Sequence, residues 1–219
     1  IFYVPDYSTY GISKLSDTGW LNIPYEETLE SQSLSKIVLN PSDEKNVFFG
    51  SAHTGILEFQ DDIAIARYDH TTPNGPESVL LTEAPNFKSV RNNGLAFDRS
   101  GNLWFTNGLV ANAMKVLKTD GSWQSYSISE FVPSFMQNYS NLVIDKNGTK
   151  WFPAENGLMG FNENVTPMFK KAESSDDAGS PFLNNVRSVA IDNNNRVWIG
   201  TRGGLRILSS VDRFMGEDD

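Results

Sequence analysis

The chain has no cysteine among its 219 residues, which excludes disulfides, thiol catalysis and cysteine-ligated zinc. Histidine is almost as scarce. Only His53 and His70 are present, and neither stands in a HExxH motif or in a Ser, His and Asp set with a supporting signature. There is no phosphate-binding loop and no dinucleotide fingerprint, and the Gly-rich TRGGL has no following helix to bind phosphate. No apolar run approaches the roughly 18 residues of a membrane-spanning helix, and no secretory leader pattern is present. Positive charge is short as well: the net charge is −9 and the pI about 4.7, against the basic surface that general nucleic-acid binding requires.

What the chain does have is a repeat. Residues 186–208, VRSVAIDNNNRVWIGTRGGLRIL, contain two β-rich runs around a turn segment and a third run after a short Gly-rich loop, the pattern of a small antiparallel meander. The unit recurs at 141–161 and at 94–117. Trp104, Trp151 and Trp198 stand 47 residues apart, and so do Asp98, Asp145 and Asp192. Two residue types keeping one period through differing intervening sequence point to propeller blades, whose repeats run to roughly 40–50 residues with four short strands each.

A degenerate copy lies at 36–59, with Phe48 at the tryptophan position and two extra residues in its first turn. The chain opens on the later part of another copy, in which Leu15, Asp17, Gly19 and Trp20 parallel Leu117, Asp120, Gly121 and Trp123. The expected fold is all-β, a β-propeller of four-stranded antiparallel blades. Its approximate blades are 1–26 (partial), 36–82, 94–128, 141–170 and 186–210 (partial). That makes about five blades, the first and last incomplete, and sensor-type propellers close with about seven. The ends at Ile1 and Asp219 fit a trimmed piece of a larger ring, with open edges that invite edge-to-edge dimerisation.

Strand alternation sends Trp104, Trp151 and Trp198 to one face of a blade and Phe105, Phe152 and Ile199 to the other, and packed blades cover both faces, so all six are expected in the core. Asp98, Asp145 and Asp192 each end a first strand and cap the turn that follows, where Gly or Asn tolerates positive φ. Calcium binding by Asp192 and Asn194 is the sharper reading, but the downstream bidentate Glu is missing, and turn chemistry suffices. No metal or cofactor is expected.

Alternating strand direction puts the short Asp/Gly/Asn turns on one face of the ring and the long, varied loops on the other. Binding residues gather on variable loops held by a rigid frame. The variable face, including the expected loop 153–156, offers Tyr7, Tyr10, His53, Arg91, Asn107, Glu155, Asn156, Arg187 and Arg202 as contacts for a carbohydrate or a peptide end. A catalytic reading finds little support. The first strands LAF, LVI and VAI bring no acid toward the axis, and the adjacent Asp176 and Asp177 lie in a flexible-looking loop.

The copies LAFDRSGNLWFTNG, LVIDKNGTKWFPAENGLMGF and VAIDNNNRVWIGTRGGLRIL resemble two-component-regulator propeller repeats, whose pattern is approximately a hydrophobic strand, D, a turn with G, then L-W-[IFV]-G-T-x-x-G-L. The motif residues carried over are structural: Asp98, Trp104, Asp145, Trp151, Asp192, Trp198 and Gly200. The blade near 36 departs from the pattern in lacking its Trp, and Trp151 is followed by Phe-Pro-Ala in place of Gly-Thr. The ending GLRILSSVDRFMGEDD is similar to the PorZ-like propellers of the type IX secretion system of Bacteroidetes, in which an aromatic-containing acidic tail leads to further blades. This resemblance implies a non-catalytic envelope protein, at the outer-membrane surface or in the periplasm, with a sortase-like protein partner, a lipopolysaccharide, or both. The alternative it implies is the glycan-sensing propeller of a hybrid two-component kinase. A carbohydrate-active enzyme is a more distant third.

Overall fold

The structure, a computed structural model, describes residues 10–79, 88–129, 139–154, 157–172 and 186–216. Its strands form five antiparallel sheets, each a meander of sequence neighbours. The first holds β1 (Ile12–Ser16) and β2 (Gly19–Ile23). The second runs β3 (Leu34–Asn40), β4 (Asp43–Ser51), β5 (Ile56–Gln60) and β6 (Ile63–Tyr68). The third runs β7 (Gly94–Phe97), β8 (Leu103–Thr106), β9 (Met114–Leu117) and β10 (Trp123–Tyr126). The fourth runs β11 (Val143–Ile144), β12 (Lys150–Ala154), β13 (Gly157–Phe161) and β14 (Phe169–Ala172). The fifth holds β15 (Val186–Ile191), β16 (Val197–Thr201) and β17 (Gly204–Leu208), followed by the short helix α1 (Val211–Met215). The first strands β3, β7, β11 and β15 contact one another in that order, so the sheets are blades set around a common axis. The fold is an all-β propeller.

Period-two alternation builds the junctions between blades. Phe49 packs with Ile23 and Leu57 toward the first hairpin, while its neighbour Phe48 packs with Leu95 and Phe105 of the third blade. Trp104 joins Phe152 and Met159 of the fourth blade, and Trp151 joins Val189 and Ile199 of the fifth. Each blade therefore drives its Trp or Phe into the next blade and presents the following residue to the previous one. Trp104 and Trp151 are 3% and 0% exposed, so the burial of these large rings helps hold neighbouring sheets together. Trp198 is only half-buried, because no described blade follows the fifth. At the other end, a cleft of about 470 Å³ between the first hairpin and the second blade is lined by Ile12, Ile23, Ile37, Leu39, Phe49 and Phe59.

The repeated aspartate does more than cap a turn. Asp145 Oδ1 accepts from the N–H of Asn147 and of Thr149 at 2.8 and 2.9 Å, while its Oδ2 accepts from the Trp151 indole N–H at 2.8 Å. Asp98 and Trp104, and Asp192 and Trp198, make the same indole bond, again at 2.8 Å. One carboxylate thus fixes both the hairpin and the rotamer of the residue that wedges the next blade. The hairpin is a tight turn closed by a left-handed residue, Gly101, Gly148 or Asn195, at φ 81, 83 and 62°. Both oxygens of Asp192 are spent on Asn194, Arg196 and Trp198, which leaves no lone pair arranged for calcium there.

The second blade shows the converse. Phe48 occupies the tryptophan position, opposite Val38 as Trp104 stands opposite Ala96, and it has no N–H to give. The aspartate position is Asn40, whose amide turns to Asn46 Oδ1 at 3.0 Å. The two members of the pair are replaced together.

One expectation from sequence needs correction. Pro153 and Ala154 were expected in a variable loop but belong to β12, paired with Leu158 and Gly157, because their apolar side chains have a buried sheet face to fill. Residues 211–215 coil into α1, which buries Val211 and Met215 and sets Phe214 5.6 Å from the Trp151 ring. The helix is tied down by Lys170 Nζ donating to the Gly216 carbonyl and Asn147 Nδ2 donating to Asp212.

Candidate ligand-binding face

The face carrying the inter-blade connectors is organised around the turn at residues 51–55. Ser51 Oγ donates to the Gln32 carbonyl at 2.5 Å and accepts from the N–H groups of His53 and Thr54, so one hydroxyl ties the turn to the connector before β3. On its other side the turn is laced to the next connector. The N–H of Val90 donates to the His53 carbonyl at 2.7 Å, and the N–H of Asn92 donates to the Ser51 carbonyl at 2.7 Å. Short parallel bridges, Thr54 with Val90 and Asn93 with Ser140, carry the lacing from blade to blade. Closer to the axis, Ser35 Oγ donates to Asn93 Oδ1 at 2.9 Å, and Asn141 accepts from Lys36 Nζ at 3.2 Å and donates to the Val189 carbonyl at 3.1 Å. Polar contacts therefore join the first strands of four blades, and the floor of this face is rigid.

Of the residues singled out from sequence, the structure brings three together. His53 Nδ1 lies 3.0 Å from Ser89 Oγ, and Arg91 Nε donates to that same oxygen at 3.3 Å. Asn107 stands beside them but is fully buried. Its amide clasps the connector, accepting from the Glu77 N–H at 2.6 Å and donating to the Glu77 carbonyl at 3.1 Å. Asn107 thus positions the surface and does not form part of it. Arg187, in β15, and Arg202, in the turn between β16 and β17, are exposed and belong to the fifth blade. Tyr10, 72% exposed, precedes β1 at the opposite end of the described blades. Tyr7, Glu155 and Asn156 lie outside the described residues.

Sequence reading missed Ser89, the hydroxyl that His53 and Arg91 share, because it sits in a connector with no repeat register. It also missed Glu77. The Glu77 carboxylate accepts from Lys115 Nζ at 2.6 Å and Asn112 Nδ2 at 3.1 Å, pinning the long connector to the third blade. Lys115 is 1% exposed, and burial pulls its ammonium below the usual lysine value despite the Glu77 charge. Lys150 is a second buried lysine. It pairs with Glu163 and lies 3.8 Å over the Trp104 ring, and burial lowers it in the same sense. Both lysines point into blade junctions and serve the frame.

The Ser89 and His53 pair raises the question of nucleophilic chemistry. Ser89 is 0% exposed, so no substrate reaches its hydroxyl in this arrangement. Among the described residues no three or more His, Cys, Asp or Glu side chains gather as a metal site. None of the described helices is long and apolar enough to cross a membrane.

Comparison with known proteins places this frame. The model of the two-component regulator propeller family matches residues 180–203. No curated protein matches the chain by sequence. Among solved structures it is similar to PorZ of Porphyromonas gingivalis, a bacterial surface component of the type IX secretion system, with a TM-score of 0.75 and 22% identity over 97% of this chain and 31% of that one. It is also similar to the extracellular domain of a putative one-component system of B. thetaiotaomicron, with a TM-score of 0.63 and 17% identity over 92% of this chain and 25% of that one. Virginiamycin B lyase of Staphylococcus aureus follows, with a TM-score of 0.62 and 16% identity over 92% of this chain and 64% of that one. The chain spans less than a third of the length of the first two, and likeness at these identities speaks for the fold alone. The solved structures support the β-propeller fold for the chain, and the two-component regulator propeller repeat is matched within the fifth blade, over residues 180–203.

Proposed function

We propose that this chain is part of a non-catalytic binding and scaffolding propeller of the bacterial cell envelope, with a PorZ-like role in type IX secretion and in attaching cargo to lipopolysaccharide. The observation that carries the reading is the laced connector face, where His53, Ser89 and Arg91 sit on a floor fixed by Ser51, Asn92 and Asn141. A rigid floor under varied connectors suits recognition of a large surface, such as a sortase-like protein partner or a polysaccharide. Likeness to PorZ along 97% of the chain supports this reading, and so does the burial of Ser89, the hydroxyl that His53 Nδ1 meets.

The alternative is a periplasmic propeller that senses glycans for a hybrid two-component kinase, favoured by the repeat match and by the likeness to the B. thetaiotaomicron extracellular domain. A glycan array followed by calorimetry separates the two. Binding restricted to the producing organism's own lipopolysaccharide supports the secretion role. Tight binding of one defined dietary oligosaccharide supports the sensor. Turnover of any glycan on the array refutes both, since each is non-catalytic.

A further inference from the structure

The third blade grips both the main chain and the carboxylate of one residue on the connector that follows β6. The N–H of Glu77 donates to Asn107 Oδ1 at 2.6 Å, and Asn107 Nδ2 donates back to the Glu77 carbonyl at 3.1 Å. Glu77 Oε1 accepts from Lys115 Nζ at 2.6 Å and from Asn112 Nδ2 at 3.1 Å. Two residues on, the Val79 N–H donates to the Ser89 carbonyl at 2.8 Å, and the Val79 side chain is buried. Residues 77–79 are thus held as a bound peptide is held, by an amide clasp, a carboxylate pocket and a buried side chain. The frame does not need this arrangement. Lys115 stands opposite Phe105, and the matching positions of the second and fourth blades, Leu57 opposite Phe49 and Met159 opposite Phe152, are apolar and equally buried. Apolar packing at such a position is often as stable as a buried ion pair, or more so. Stability therefore does not account for the buried lysine of the third blade, whereas recognition of a carboxylate does.

The acid that fills the pocket comes from outside the repeat, on a connector, and its side chain is 43% exposed while its Lys115 partner is 1% exposed. Fixed, buried donors facing a half-exposed acid make a pocket with an intramolecular occupant. We propose that Asn107, Asn112 and Lys115 form a glutamate-recognition site, that Glu77 fills it in cis, and that an acidic segment of a partner protein displaces residues 77–79 from it. A peptide is favoured over an acidic sugar because Asn107 pairs with both the N–H and the C=O of a single residue, a pairing that a uronate does not offer. The inference rests on the connector face being the binding face, and it names the chemistry of the protein partner there.

The test uses the full chain and two synthetic peptides, one copying residues 75–79, GPESV, and one with glutamine in place of its glutamate. In the Glu77→Ala chain, whose pocket has lost its occupant, calorimetry is expected to show the first peptide binding at least about tenfold more tightly than the second. Adding Lys115→Met to that chain erases the difference while circular dichroism stays native. In the unaltered chain the first peptide, raised above the roughly millimolar effective concentration of a tethered competitor, is expected to speed hydrogen exchange at the Glu77 and Val79 amides. Equal affinity of the two peptides for the Glu77→Ala chain overturns the proposal. So do Glu77 and Val79 amides that keep their protection in the unaltered chain, which makes the contact a fixed clasp, and so does displacement by oligogalacturonate but not by peptide. None of these results alters what the glycan array reads, so the connector-face reading can stand where this site falls.

Discussion

The bond between aspartate and tryptophan predicts a specific non-additivity. In the fourth blade Asp145 and Trp151 are 4% and 0% exposed and joined at 2.8 Å. Asp145→Asn must either aim an amide N–H at the indole N–H or turn its oxygen to the indole and give up the two backbone donors of the turn. Either way a buried donor loses its partner, at a cost of about 2–3 kcal/mol. Trp151→Phe removes the indole donor, orphans Oδ2 and leaves a small void, again about 3 kcal/mol. In the double variant the mismatch disappears, because phenylalanine asks for no acceptor and asparagine brings no charge. The second blade already contains that combination in Asn40 and Phe48. The double variant is therefore expected to be about 1.5–2 kcal/mol more stable than the sum of the single losses. Guanidinium unfolding followed by far-ultraviolet circular dichroism measures all four proteins without relying on the tryptophan signal. Losses that add to within about 0.5 kcal/mol would refute the coupling and reduce the shared period to coincidental packing.

Three further outcomes follow from the same frame. Asp98 is held below its usual carboxylate value: burial pushes it up, but donors from Asn102, Trp104 and Ser100 more than offset that, and Asp192 is lowered in the same direction. A depressed folded value means stability is fully present above the unfolded value of 3.8 and is lost as pH falls below it, so melting temperature should drop steeply under about pH 4, and Asp98→Asn should flatten that slope. Removing the partner of a buried cation is worse than removing the cation: Glu77→Ala should cost about 2 kcal/mol in chemical denaturation, discounted for the partial exposure of Glu77, whereas Lys115→Met should be near neutral. Truncating the wedges should show the gradient of burial, with Trp104→Ala losing about 4 kcal/mol and half-buried Trp198→Ala clearly less, read from the same denaturation midpoints.

The blades were legible because the residues that make them are bonded to one another at fixed short range. Asp and Trp six positions apart sit across one hairpin, so any drift of one against the other breaks the bond between them, and the period survives. The indole bond itself was not legible: aspartate before a Gly-containing turn is explained by capping alone, and only geometry shows the second oxygen reaching the ring. Ser89 and Glu77 were invisible for a different reason. They act through contacts 36 and 38 residues away in sequence, His53 for one and Lys115 for the other, in connectors that follow no repeat. Helix α1 escaped notice because five residues are too few to show a helical period, and its two buried anchors, Val211 and Met215, declare themselves only against Trp151.

This division bears on function. The aspartates and tryptophans that recur at the 47-residue spacing work at the end of the blade where the tight turns lie, or inside the junctions. At the opposite end the first strands are held by one-off contacts: Ser51 to Gln32, Ser35 to Asn93, Asn141 to Lys36 and Val189. Those contacts hold the backbone of the floor without prescribing what projects above it. A frame so built can change its exposed residues, such as Arg187 and Arg202, without disturbing the bonds that keep the blades in register. The repeat therefore identifies the scaffold, while ligand preference has to be read from the connector side chains, and substitutions that alter binding without altering the denaturation midpoint should map to that face alone.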